Sequence, residues 1–250
     1  MDISETGNVV DRKVWGPWAT IGFGLLIGIA SIIIQIIIVF AFAIITAVKS
    51  PVLDSAQIIS DIYARLGLIV SISSIVTAIV CLGLIILIIK VRKNITIKEY
   101  LGLKPVTKKT GLVLFAITAA ILGVSAGISI IFEIPSSSQF MVDVYKTSAC
   151  PVLLWIAVVI FTPLLEETFF RGFLFAGFIQ SRIGLIGTII ITSLIWTTLH
   201  IQYEVYELAT IFILGIILGI VRYRTNSLWA PILMHAFNNL LAMIELSFYI

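Results

Sequence analysis

Long apolar runs separated by short polar stretches dominate the chain, without the strict alternation of a half-buried strand. The runs cover residues 18–48, 66–89, 111–132, 151–165 with an aromatic-rich continuation at 169–179, 184–199, 208–221 and 228–250. Each approaches the roughly 20 residues a helix needs to cross a bilayer core of about 30 Å. Backbone N–H and C=O groups find no partners in lipid, so helices are the only spanning form these lengths permit. The pattern predicts an all-α, polytopic membrane helical bundle of about seven to eight transmembrane helices, the eighth being a helical piece around 169–182. No repeat or low-complexity linker divides the chain, so residues 1–250 read as a single integral membrane domain.

Composition agrees: 60% of the 250 residues are hydrophobic and 12% charged, which excludes a soluble enzyme. The formal net charge is only +3, and the basic residues lie mostly between apolar runs, so they report topology and not a nucleic-acid surface. The stretch "KVRKNITIKEYLGLKPVTKK" at 90–109 holds seven of the sixteen lysines and arginines. The positive-inside rule places it in the cytoplasm, and with it Arg12, Lys13, Arg182, Arg222 and Arg224. Thirteen basic residues, counting Arg171, then fall inside, against Lys49, Arg65 and Lys146 outside. The first apolar run is far longer than a signal-peptide core and follows a charged segment, so the chain is expected to insert through its own first helix. Cys81 within one run and Cys150 at the start of another read as separate buried thiols. The spacings Gly24 to Gly28 and Gly215 to Gly219 fit close helix packing.

Ionisable side chains in hydrocarbon are costly and rarely left without a partner or a task. Three stretches carry them here. In "LLEETFFRGF" (164–173), Glu167 and Arg171 are four residues apart and share a helix face, so they can pair, whereas Glu166 points about 100° away and is left free. "IWTTLH" ends an apolar run in His200. "PILMHAFNN" places His235 and Asn239 on one face. The chain has only two histidines, and both belong to this set.

Such a set suits addition of water to an amide: a carboxylate to take a proton, imidazoles to orient the water, and a donor such as Asn for the developing oxyanion. Glu166, His200 and His235 are also a first shell for zinc, an alternative that stays open, although no HExxH spacing is present.

The ordered motifs EExxxR (Glu166, Glu167, Arg171), an aromatic-xxx-His (Trp196, His200) and HxxxN (His235, Asn239), within a core at 151–242, resemble the CPBP family. These are the CAAX-protease and bacteriocin-processing intramembrane endopeptidases, also called the Abi family. The "YLGLKP" stretch is similar to family members too. The resemblance implies an intramembrane endopeptidase of the CAAX prenyl endopeptidase kind, glutamic or metallo-type. Glu166 would be the base, His200 would help activate water, and His235 with Asn239 would stabilise the oxyanion. Glu167, Arg171 and Trp196 would support them. The implied partners are membrane lipids and a peptide or protein substrate, prenylated or resembling a bacteriocin leader, with no nucleic acid. No cofactor is required in this mechanism. The second motif usually begins with Phe, so Trp196 is expected to alter substrate fit more than chemistry.

Two rivals remain. "GVSAG" (123–127) has the GxSxG spacing of a nucleophile elbow, but that elbow needs a strand-turn-helix, so Ser125 reads as a packing residue. A non-proteolytic membrane transporter or scaffold could use the same buried polar residues, yet the internal repeats expected of many transporters are absent. As to access, His235 and Asn239 lie two to three helical turns beyond the basic 222–224 turn, which favours a site open to the cytoplasm of the cell membrane. A straight helix from Gly184, however, would carry His200 about 24 Å toward the far face.

Overall fold

The structure is a computed structural model that describes residues 14–49, 54–134 and 137–249; Arg12 and Lys13 lie outside them. Each expected run is helical. The long helices are α1 (Pro17–Lys49), α3 (Leu66–Val91), α5 (Lys108–Ile131), α7 (Pro151–Phe178), α8 (Gly184–Thr198), α9 (Val205–Thr225) and α10 (Trp229–Tyr249). Between them lie three short helices: α2 (Ser55–Tyr63), α4 (Ile97–Leu101) and α6 (Gln139–Lys146). The result is an all-α polytopic bundle without a strand among the described residues. Ile32, Ile36 and Leu25 of α1 are exposed on its outer face, as lipid and not water requires.

Seven long helices answer the seven expected runs, though they differ in length and hydropathy. Among the described residues, α1, α3, α5, α7 and α9 are long and apolar enough to cross a membrane. Helix α8 has 15 residues, or about 22 Å, and falls short of a bilayer core. Helix α10 has 21 residues but is not among those five, since His235, Asn238, Asn239 and Glu245 lower its hydropathy. The expected eighth piece is no separate helix, because α7 continues to Phe178.

Helix α7 runs unbroken because it absorbs two irregularities as π-helical turns, at Ala157–Phe161 and Thr168–Leu174. Such turns frequently mark functional sites. The first has a cause in the sequence. Pro163 has no N–H and its ring crowds the preceding turn. The N–H of Thr162 accordingly reaches back five residues to the Ala157 carbonyl and leaves that of Val158 without its usual donor. In the second turn the Phe175 N–H goes to Phe170 and Gly172 and skips the Arg171 carbonyl.

Two faces are defined by contacts at the helix ends. On one, α4 opens with a Thr96–Glu99 capping box and ends at Gly102 with φ +67°, a conformation that suits glycine. This segment docks on the α9–α10 turn, where the Leu228 N–H donates to Gly102 O at 2.9 Å and the Ser227 hydroxyl to Lys104 O. On the other face, the Tyr63 hydroxyl of α2 donates to Asp143 of α6 at 2.5 Å, and Thr147 accepts from the Gly67 N–H. That bond holds the Asp143 carboxyl below its ordinary range and raises the Tyr63 hydroxyl above its own.

Of the small-residue spacings, Gly215 and Gly219 bring α9 against Ser193 and Ile189 of α8, where an added Cβ would meet atoms at 3.0 and 3.1 Å. Gly24 packs on Leu174 and Phe169, but Gly28 faces open space. Cys81 is buried as expected. Cys150 is exposed and not buried as expected; it precedes Pro151 at the start of α7.

Candidate active site

Glu166 and Glu167 are adjacent in the middle of α7, and the helix turns them to different sides. Glu167 is fully buried, while Glu166 is partly exposed. The expected pair forms: Arg171 Nη1 donates to Glu167 Oε1 at 2.9 Å, and both side chains are inaccessible. Arg171 Nη2 also donates to Gly215 O at 3.0 Å, which ties α7 to α9. Glu167 Oε2 and Arg171 Nε are buried without a hydrogen-bond partner in the protein. The network is therefore held by few bonds in a place where each lost bond is expensive.

Trp196, only 2% exposed, joins the motifs. Its Nε1 donates to Glu166 Oε2 at 2.6 Å, so Glu166 is held and not free. The Arg171 guanidinium lies 4.6 Å from its ring centroid, and the rings of His200 and His235 lie 5.4 and 5.2 Å away at steep angles. A phenylalanine could supply the wall but not the N–H. Trp196 thus enters the polar chemistry of the site, beyond substrate fit.

Both histidines have a fixed tautomer. His200 Nδ1 lies 2.8 Å from the Trp196 carbonyl, an oxygen that can only accept, so Nδ1 carries the hydrogen and Nε2 keeps its lone pair. His235 Nδ1 lies 3.0 Å from Glu167 Oε1, and the same logic leaves its Nε2 free. Glu167 thereby serves Arg171 and His235 through one oxygen.

Asn239 is placed apart from this cluster. Its Nδ2 donates to the Val158 carbonyl at 2.9 Å, the group that Pro163 leaves without a donor in the first π turn. One amide hydrogen remains. An Asn239→Ala variant should be less stable by about 1 kcal/mol, the net worth of a part-buried hydrogen bond to this carbonyl. Asn239→Gln should recover little, since its longer chain overshoots Val158. Thermal unfolding in detergent measures both, and an alanine variant as stable as the parent would contradict the bond.

Arg222 and Tyr203 were not legible as site residues. Arg222, 7% exposed, donates from Nε to the skipped Arg171 carbonyl at 2.9 Å and from Nη2 to Leu101 O at 3.2 Å, which fixes the second π turn. The Tyr203 ring stacks on His200 at 5.8 Å and meets Phe140 of α6 edge-on at 6.0 Å. Burial first, then the Glu166 and Glu207 carboxylates, push its hydroxyl up to about 12, so it is a neutral donor at the margin of the site. Its spacing of three residues from His200 was the available signal.

As to metal, among the described residues no group of three His, Cys, Asp or Glu side chains stands placed to hold an ion. Ser125, the rival nucleophile, lies inside helix α5 with its hydroxyl 3.1 Å from that of Tyr206.

Residues 148–241, which include every motif residue above, match the family described as Type II CAAX prenyl endopeptidase Rce1-like. The match covers 94 of the 250 residues and supports a CAAX-protease assignment for this core. Outside this CAAX-protease core, α1 and α3 to α6 supply the walls against which it packs. An uncharacterized 24.3 kDa protein of Escherichia coli is 33% identical over 105 residues, covering 40% of this chain and 48% of that protein. The chain thus spans about half the length of this relative of its CAAX-protease core. No solved structure matches.

Proposed function

We propose that the protein is an intramembrane endopeptidase of the cell membrane that hydrolyses a peptide bond with water activated by Glu166. The observation that carries this reading is the convergence on Trp196 of Glu166 and two histidines whose Nε2 atoms are unengaged. The family match of the core supports it.

In this reading Trp196 fixes Glu166 through Oε2, and Oε1 takes a proton from water. His200 Nε2 accepts the water's second hydrogen and so aims its oxygen at the substrate carbonyl. The tetrahedral oxyanion is met by the remaining Asn239 hydrogen and by His235 entering the reaction as imidazolium, with an Nε2 proton taken up from water beforehand and its charge balanced by Glu167. Glu166 then passes its proton to the departing amine as the C–N bond breaks. Residues 1–250 act as one domain, the walls supplied by α1 and α3 to α6 shielding the chemistry from lipid. The substrate is a peptide or protein within reach of the bilayer, a prenylated chain or a bacteriocin-like leader being the classes of the family.

The test is to incubate purified protein in detergent with a pool of quenched-fluorescent peptides and to identify the products by mass spectrometry. Internal cleavage that survives o-phenanthroline and a serine-directed fluorophosphonate is expected. Loss of cleavage to the chelator would replace the glutamic mechanism with a metal-dependent one, and no cleavage of any peptide would remove the endopeptidase reading.

A further inference from the structure

We infer that α5 and α9 form, on their outer side, a site for one anionic glycerophospholipid of the surrounding bilayer, with an acyl chain in the groove between the helices and the headgroup on Lys108, Lys109 and Arg224. The two helices run antiparallel and are pinned near both ends of their seam. At one end the Tyr206 hydroxyl donates to Ser125 O at 3.2 Å and stands 3.1 Å from the Ser125 hydroxyl. Near the other, the Ser227 hydroxyl, just beyond α9, donates to the carbonyl of Lys104, just before α5, and the Leu228 N–H donates to Gly102 O.

Between these clasps the seam is open. Ile117, Ala120, Ile121 and Val124, which share one face of α5, line a groove of about 370 Å³ with Ile213 and Ile217 of α9. Ile117, Ala120, Val124 and Ile213 are exposed, so the groove opens outward. It is separate from the catalytic cluster. An added Cβ on Gly215 would meet Trp196 at 3.1 Å, so that face of α9 looks toward the site. Ile213 and Ile217 each lie two residues from Gly215, about 200° around the helix, and look the other way. A groove whose six lining residues are all aliphatic offers water no hydrogen bond, and left void it forfeits contacts along its whole wall. An acyl chain fills it.

Charge selects the headgroup. Segments 104–113 and 220–229 meet at the Lys104–Ser227 clasp and contain no Asp or Glu. Lys104, Lys108, Lys109 and Arg224 are exposed there, and so are Tyr223 and Trp229, aromatic residues of the kind that favours headgroup depth. Clustered cations at that depth recognise anionic lipid. From Lys109 the groove begins about 12 Å along α5 at Ile117 and ends about 22 Å along it at Val124, so headgroup and chain are served by the same pair of helices. A neutral lipid gains the groove without the cations, and a free phosphate gains the cations without the groove. The "GVSAG" stretch thereby has a structural task, since Val124 lines the groove and Ser125 closes it. A lipid bridging α5 and α9 also braces the helix whose Gly215 carbonyl holds Arg171.

Thermal unfolding and native mass spectrometry test this on the full chain in a neutral detergent. Palmitoyl-oleoyl-phosphatidylglycerol should raise the unfolding temperature by about 2 °C or more and be retained as one molecule per chain. The matching phosphatidylcholine, and glycerol phosphate, should do neither. Ala120→Trp fills the groove at an exposed position and should abolish retention. The triple change Lys108→Gln, Lys109→Gln and Arg224→Gln should remove the preference for phosphatidylglycerol over phosphatidylcholine. A phosphatidylglycerol with a diazirine on its acyl chain should cross-link to 117–124 or 213–217, and excess unmodified lipid should suppress the adduct. Equal retention of phosphatidylcholine, or undiminished retention by Ala120→Trp, overturns the inference. Displacement of the lipid by a farnesylated peptide also overturns it, because the groove then belongs to the lipid of a substrate. Should the tryptophan variant not fold, the cross-link map decides alone, and competed adducts elsewhere in the chain refute the site.

Discussion

Glu166→Gln should lower turnover by about two to four orders of magnitude while the protein elutes and unfolds as the parent does. The substitution is close to isosteric, and the amide oxygen of glutamine can still accept from Trp196 Nε1, so the 2.6 Å contact and the indole position are retained. What is lost is the ability of the other oxygen to take a proton from water. The expected loss is therefore in kcat, with KM little changed, because no substrate contact is removed. Glu167→Gln differs: it weakens the Arg171 pair and the His235 bond together, so stability should fall along with activity. A Glu166→Gln enzyme with turnover within a few-fold of the parent would take the base role from Glu166 and leave the cluster as a structural network.

The motif residues were legible because each rests on local spacing. Glu167 and Arg171 had to share a face on any helix, as did His235 and Asn239. The order of the three motifs was enough to point to the family that residues 148–241 match. Less legible were the consequences of irregular backbone. Pro163 stands inside the apolar run 151–165, and only tertiary structure shows that a π turn absorbs it and that Asn239 satisfies the carbonyl left over. Arg222 was counted as a topology charge, and its guanidinium instead enters the core to satisfy another carbonyl of the same helix. Depth was less legible for a related reason: residue counts from the nearest turn assume equal helices, and α8 has only 15 residues.

Arg171→Ala should have the largest effect on folding, a loss of about 3–5 kcal/mol, which is the cost of breaking a buried ion pair by removal of one partner. That is a large part of the roughly 5–15 kcal/mol that stabilises a typical domain. Arg171 and Glu167 are both 0% exposed, and truncation leaves the carboxylate with His235 Nδ1 as its one hydrogen-bond partner. It also frees the Gly215 carbonyl and removes the cation packed on the Trp196 ring. Arg171→Lys should recover part of the loss, because a single ammonium cannot reach Glu167 and Gly215 with the geometry of the guanidinium fork. Charge reversal, Glu167→Arg with Arg171→Glu, should not rescue the fold. The partners are asymmetric: position 171 faces a carbonyl, which would repel a carboxylate, and position 167 faces His235, which could accept from a guanidinium only through one Nδ1 lone pair after changing its tautomer. The double change Glu167→Gln with Arg171→Met removes both charges and should be more stable than Arg171→Ala alone. Unfolding temperatures of the purified variants in one detergent measure the series, and a reversed pair as stable as the parent would show that Gly215 and His235 do not set the direction of this ion pair.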